Sequence, residues 1–300
     1  MSTDDTPDAS ADTSTQLHRR LARFNAVRLR PGIPSPWWKD ELADEHACRL
    51  LEGEHLEALR ATVQAAASAS TGNAAHFVAW FESLEQNGPG QHHPLFDWLA
   101  GEATLAQMRW FLTQEAAGEA GFEDLLACTQ VKLPPQPKLE CARNFWDEMG
   151  HGKQSAMHSQ MLEQMVRELD LHPAIDTTVW ESLALANTMV ALATTRRYAY
   201  HSIGALGVIE LTAPGRVKLV AAGMRRLGLS GRARAYFDLH AALDVSHSRA
   251  WLHEVIRPLV EADPSCGQFI AEGALMRLAC GERCFERYSA ELRVAEELAA

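Results

Sequence analysis

The stretch that decides the fold runs from residue 236 to residue 251 and reads YFDLHAALDVSHSRAW. Within it, His240, Asp244 and His247 are four and three residues apart, so their side chains share one face of an α-helix. Apolar residues surround this trio, and a polar group in a core-like helix needs a partner. Two imidazoles and a carboxylate on one face favour a site for non-haem iron over a solvated polar stripe.

The composition restricts the class of protein. The 300 residues are 47% hydrophobic, which is enough to build one substantial core. The net charge of -11 argues against a nucleic-acid partner, because phosphate binding needs a basic surface. We find neither a signal-peptide pattern nor a long apolar run, so we expect a cytoplasmic protein without a membrane partner.

Helix-forming residues broken by Pro and Gly dominate the chain, whereas sustained strand patterns are nearly absent. The loops between the predicted helices are short, which favours antiparallel neighbours. The sequence therefore predicts an all-α fold, a multi-helix bundle. The predicted helices cover residues 38–70, 73–87, 104–130, 138–169, 176–212, 215–228, 231–262 and 265–298.

The predicted domain organisation is simple. Residues 1–15 are rich in Asp, Ser, Thr and Ala without an apolar period, so we expect a disordered tail there. Residues 16–300 are predicted to form one helical domain. Its predicted parts are N-terminal helices in 16–91, a metal-binding core in 92–262 and a C-terminal helix in 263–300.

A pair of metal ions in a bundle takes further Glu and His ligands from facing helices. Glu210 follows an uncharged run, where an unpaired carboxylate would be costly, and is the most informative carboxylate outside the trio. Glu115 is a second candidate in an Ala- and Gly-rich segment, with Glu119 one turn later as its rival. For these two glutamates, an exposed position on the helix surface is the competing interpretation.

The segment FWDEMGHGKQSAMHSQML, residues 145–162, offers the remaining ligands. Glu148 and His158 are one candidate pair, with Gly150 and Gly152 as expected points of distortion between them. His151 competes with His158, because it lies three residues after Glu148 and would share its helix face. The sequence alone does not choose between these two histidines as the ligand that accompanies Glu148.

This set of residues resembles the haem-oxygenase-like di-iron oxidases and oxygenases, often described as iron-containing redox enzymes. The resemblance covers roughly residues 92–262, and its HxxxDxxH motif is complete. It implies a haem-oxygenase-like bundle with a di-metal site in its core, and it does not imply haem binding. The ligands that it implies are Glu115, Glu148, His158, Glu210, His240, Asp244 and His247.

The resemblance implies an O2-activating non-haem di-iron oxygenase or oxidase. Its cofactor would be two Fe(II)/Fe(III) ions with O2 as co-substrate, and Mn in one of the two sites is compatible with these ligands. Family members carry out N-oxygenation and oxidative C–C cleavage or desaturation. The expected partners are therefore a small amine- or amino-acid-like metabolite and an electron donor that the sequence does not identify. A homodimer through the N-terminal helices is compatible with the sequence.

Two other functions compete with this interpretation. A thiaminase-like helical hydrolase would need a cysteine nucleophile, for which Cys128 or Cys141 is available. A non-catalytic binding protein would use the same polar residues as a hydrogen-bonded core network. Arg197 and Tyr200 precede Glu210 and are candidates for binding a substrate carboxylate, although a solvated charged face is the favoured interpretation of that segment.

Overall fold

The computed structural model describes residues 9–70 and 72–294, without the side chains of residues 9, 10 and 242–245. Within this part of the chain every regular element is helical, and no strand occurs. The predicted all-α fold is therefore confirmed. The α-helices are α1 Ala9–Arg28, α2 Trp38–Ala67, α3 Ala74–Asn87, α4 Pro94–Gly101, α5 Leu105–Gly118, α6 Phe122–Thr129, α7 Pro135–Glu148, α8 His158–Glu168, α9 Trp180–Thr194, α10 Ala199–Arg226, α11 Gly231–Ala250, α12 Arg257–Ala262 and α13 Cys266–Leu292.

Helix α10 is the centre of the bundle. It packs along α13 and α11 and also contacts α4. The approach to α13 is close because Gly204 has no side chain: a Cβ atom at this position would lie 1.8 Å from the carbonyl oxygen of Ile270. This contact fixes the distance between these two long core helices. It thereby positions the middle of α10, where Glu210 is buried.

The described helices depart from the predicted ones at several places, of which two concern residues close to the site. A single helix was expected over 104–130, but α5 ends at Gly118 and α6 starts at Phe122, because Gly121 takes a positive φ of 76° between them. A helix end was expected at Pro214, but α10 continues through this residue. Packing explains this difference, since α10 carries buried side chains both before Pro214, such as Val208, and after it, such as Val220. Their burial offsets the missing hydrogen bond.

The N-terminal region also differs from the expectation. Helix α1 begins at Ala9, so residues 9–15 of the expected tail 1–15 are helical, and residues 1–8 lie outside the described residues. Side-chain hydrogen bonds one turn apart support this start: the Thr15 hydroxyl donates to the Ala11 carbonyl, and Gln16 donates to Asp12. Burial of Leu21 on the same helix anchors α1 to the bundle. None of the described helices combines the length and the apolar character that crossing a membrane requires.

The close packing of α10 against α13 gives a testable expectation. Gly204→Ala should lower the free energy of unfolding by at least about 2 kcal/mol, because the new Cβ atom overlaps backbone atoms of α13. Gly215→Ala on the same helix is the matched control. Its Cβ atom meets nothing within 4 Å, so helix propensity should leave stability unchanged or raise it by up to about 1 kcal/mol. Urea denaturation measures both, and equal stability of the two variants would contradict this packing.

Candidate metal centre

Five of the seven predicted ligands come together in the core as two overlapping groups. The first group contains Glu148, His158 and His240, and the second contains Glu148, Glu210 and His247. In each group, one ligand atom per residue lies within 4.8 Å of the others. Glu148 belongs to both groups, so its carboxylate lies between two places that could each hold a metal ion.

The turn between α7 and α8 brings Glu148 and His158 together. Glu148 is the last residue of α7 and His158 is the first of α8, and two short 3-10 segments connect them. Gly150 is required in this turn, because its φ is 58° and a Cβ atom would lie 2.3 Å from the carbonyl carbon of Ala156. As a result, Nδ1 of His158 lies 2.7 Å from Oε2 of Glu148.

The rival histidine of this segment lies outside the core. The His151 side chain is 66% exposed, and its Nε2 atom lies 3.2 Å from Oδ1 of Asp147. It belongs to neither ligand group among the described residues. The geometry therefore favours His158, which is buried, over His151 as the partner of Glu148.

Hydrogen bonds fix which nitrogen of His240 and of His247 is free to bind a metal. Nε2 of His247 donates to Oδ2 of Asp147 at 3.1 Å, which leaves Nδ1 directed towards Oε2 of Glu210 at 3.6 Å. Nδ1 of His240 donates to the carbonyl oxygen of Tyr236 at 2.7 Å, which leaves Nε2 free. Metal-binding histidines are characteristically oriented in this way by a carboxylate or a carbonyl. The sequence did not single out Asp147.

Two buried imidazole nitrogens test whether the cluster fits a metal ion. Nδ1 of His158 and Nδ1 of His247 face glutamate carboxylates, at 2.7 Å from Glu148 and 3.6 Å from Glu210, yet neither is aligned for a hydrogen bond. A metal ion between each nitrogen and its facing carboxylate would satisfy both groups. Glu210, by contrast, is held in place, because Asn144 donates to its Oε1 atom at 2.7 Å. The mixture of imidazole nitrogen and carboxylate oxygen fits iron or manganese.

The protonation of the cluster follows from its burial. Burial and the neighbouring Glu210 raise the pKa of Glu148 to about 9. The carboxylate of Glu210, together with Asp147, raises the pKa of His247 to about 9. Burial and the nearby His158 lower the pKa of His240 to about 4. Near neutral pH, the metal-free cluster therefore holds protons at Glu148 and His247, where a cation would otherwise offset the negative charge.

The structure does not bring Glu115 to the cluster, which changes the expected ligand set. Glu115 interacts electrostatically with Arg277 and Arg216 instead. The helix break at residues 119–121 places Glu119 and Glu123 at the cavity, where both interact electrostatically with Glu148. The sequence indicates that Glu119 or Glu123 could replace Glu115, since the three residues are spaced four apart. The Asp244 side chain, predicted as a ligand on α11, lies outside the described residues.

A cavity of about 300 Å³ adjoins the first group of ligands. Glu148, His158, Glu210 and His240 line it, and much of the remaining wall is apolar, including Leu125, Leu185, Met189, Ile209 and Val217. No cysteine lines it among the described residues. The volume is at the lower end of the range for small-ligand pockets. The cavity therefore has room for a small molecule beside the metal-binding groups.

The fold and the cluster define a class of protein: an all-α bundle whose core carries glutamates and histidines compatible with a metal site. Residues 109–282, more than half of the chain, match the model of a family described as iron-containing redox enzyme. The chain belongs to this haem-oxygenase-like family of iron-containing redox enzymes, which confirms the resemblance. The match reaches beyond residue 262 into α13. No curated protein matches the chain significantly.

The assignment of the histidine after α7 can be tested with single variants. His158→Ala should lower the number of Fe(II) ions bound per chain, because it removes an imidazole from the first group. His151→Ala is the matched control: it removes an exposed imidazole seven residues away and should leave iron content unchanged. Anaerobic titration followed by metal analysis measures both. Loss of iron in His151→Ala with full retention in His158→Ala would reverse the assignment.

The raised pKa values predict proton release on metal binding. Glu148 and His247 have pKa values of about 9 and are protonated near neutral pH, yet both must lose a proton to act as ligands. The affinity for Mn(II) should therefore rise with pH until it passes about 9, with about 1–2 protons released per binding event. Calorimetry in buffers of different ionisation enthalpy measures this number. It should be lower in Glu148→Gln, and an affinity independent of pH would contradict the pKa assignment.

Proposed function

We propose that the chain is an O2-activating non-haem di-iron oxygenase or oxidase. The observation that supports two metal ions is the position of Glu148, which is shared between the two ligand groups. A carboxylate between two cations can bind one with each oxygen, as in di-metal bundle proteins. Family membership supports iron as the metal and redox chemistry as the activity. Mn in one of the two sites is compatible with the same donors.

Each of the proposed ligands has a separate role in metal binding. His158 and His240 would hold one ion, Glu210 and His247 the other, and Glu148 would bridge them. Glu119 or Glu123 would supply the carboxylate expected from Glu115, because both face the cavity beside Glu148. Iron would supply the electrons that O2 activation requires, and an external electron donor would restore the reduced state.

The protein itself contributes orientation and exclusion of water. Asn144 and Asp147 hold Glu210 and His247 from the side of α7, so the ligands are fixed by hydrogen bonds before a metal binds. The apolar wall of the cavity keeps bulk water from the reacting atoms and packs against a small substrate. We propose a small amine- or amino-acid-like metabolite as the substrate, because the cavity is small and combines this apolar wall with charged groups.

The two alternatives differ in what they require of the chain. A thiaminase-like hydrolase needs a reactive thiolate, but burial raises the pKa of Cys141 to about 12 and also raises that of Cys128. A non-catalytic core network would align its buried polar atoms for hydrogen bonds, whereas Nδ1 of His158 and Nδ1 of His247 face carboxylates without that alignment. Both observations favour the metal-dependent function.

Iron stoichiometry and O2 consumption test the proposal together. The anaerobically loaded wild-type protein should bind two Fe(II) ions per chain and consume O2 on mixing. His247→Ala should lose one ion, because it removes a ligand of the second group alone. His172→Ala, which changes an exposed histidine, is the control and should keep both ions. A wild-type protein that takes up no iron, or a His247→Ala protein that keeps both ions, would contradict the proposal.

A further inference from the structure

Arg277 is the one Arg or Lys among the described residues that line the cavity. It lies on α13, outside the segments in which the sequence predicted ligands. Its Nε atom is buried and has no hydrogen-bond partner among the described residues. A buried guanidinium with an unsatisfied donor is costly unless a ligand or another group satisfies it. A metal ion cannot fill this role, because a guanidinium repels cations.

The backbone around Arg277 leaves room for its side chain. Gly281 follows one turn later on α13, and a Cβ atom there would lie 2.8 Å from Nη1 of Arg277. The guanidinium therefore lies close along the surface of α13. A rigid helix thus holds this cation at the cavity, which is how a binding group is kept at a fixed distance from a reaction centre.

The nearby carboxylates leave the charge of Arg277 available. Glu115 and Glu119 interact with Arg277 electrostatically, and neither forms an ion pair or a hydrogen bond with it among the described residues. Arg216, which also interacts with Glu115, adds a second positive charge. The guanidinium is therefore available to an anionic ligand, even though several glutamates also line the cavity.

The other candidate arginines are directed elsewhere. The Arg197 side chain, considered from the sequence, is 69% exposed and pairs with Glu57 at 2.9 Å. Arg216 donates to Gln91 and Thr212, both at 3.3 Å, and its guanidinium packs over Phe285. Neither residue lines the cavity beside the cluster. Recognition of an anion in this cavity would thus depend on Arg277.

We propose that Arg277 binds the carboxylate of the substrate, and this inference rests on the proposed function of the same site. A guanidinium matches a carboxylate with two parallel hydrogen bonds, which also fixes the orientation of the molecule. The apolar wall accommodates an aliphatic body, so the substrate class is an amino acid or another small aliphatic carboxylic acid. Carboxylate binding at Arg277 determines which carbon or nitrogen atom faces Glu148, His158 and His240.

Matched acids and amides test this inference without any reaction. L-norleucine and L-norleucinamide, or hexanoate and hexanamide, have nearly the same shape and differ in the charge that Arg277 would bind. Calorimetric titration uses the iron-loaded protein under nitrogen at millimolar ligand. At least one acid should bind at least about tenfold more tightly than its amide, as expected for hydrogen bonds between charged groups. Equal affinity within both pairs, or no binding of either acid, would overturn the inference.

Variants test whether Arg277 causes the preference for the acid over its amide. Arg277→Met should abolish the difference between acid and amide, and Arg277→Lys should retain part of it, because the charge remains but the bidentate geometry is lost. Arg283→Met is the control on the same helix, since Arg283 contacts Cys280 and does not line the cavity. A preference that survives in Arg277→Met would overturn the inference.

Iron content measured in the same samples separates the two proposals. Arg277 touches no proposed ligand by hydrogen bond, so Arg277→Met should keep the iron of the wild-type protein. A chain that takes up no iron contradicts the proposed function alone, because the same acid and amide titrations on the metal-free protein still report on Arg277. A chain that takes up iron but does not distinguish acid from amide contradicts the carboxylate inference alone.

Discussion

Glu148 and Glu210 are buried side by side, and this contact between two carboxyl groups is the constraint on which the rest of the site depends. Two negative charges in a poorly solvated interior repel each other, so at least one proton or cation must lie between them. In the metal-free chain, protons on Glu148 and His247 reduce this negative charge, because the pKa values of both groups are raised to about 9. A metal ion would replace those protons rather than add to them.

The bundle keeps these groups together through contacts that lie outside the cluster. Glu148 is at the end of α7, and the same helix carries Asn144 and Asp147, which bind Glu210 and His247. Helix α7 therefore contributes one ligand directly and orients two others that belong to α10 and α11. Because α10 is packed between α11 and α13, a shift of any one helix would disturb several ligands at once.

The sequence predicted those parts of the site that depend on a regular local pattern. His240 and His247 were found by helical spacing, and Glu210 by its position after an apolar run. The sequence pattern could not show which of Glu115, Glu119 and Glu123 faces the cluster, because this depends on the helix break that Gly121 creates. Continuation of α10 through Pro214 was missed for a similar reason, since tertiary packing overrides a local helix breaker. Arg277 gave no local signal, because an arginine on an amphipathic helix is usually solvated.

The cavity is lined both by the cluster of carboxylates and imidazoles and by the guanidinium of Arg277, and no ion pair joins the two among the described residues. The cluster is balanced internally by protons in the metal-free chain, so it does not need Arg277 as a counter-ion. Loading with divalent cations would make the interior more positive, and the guanidinium would then be still less stable without an anion. Glu119, which also lines the cavity, would offset part of this charge as a carboxylate. The same physical need for charge balance thus supports both the proposed metal ions between the carboxylates and the proposed anionic ligand at α13.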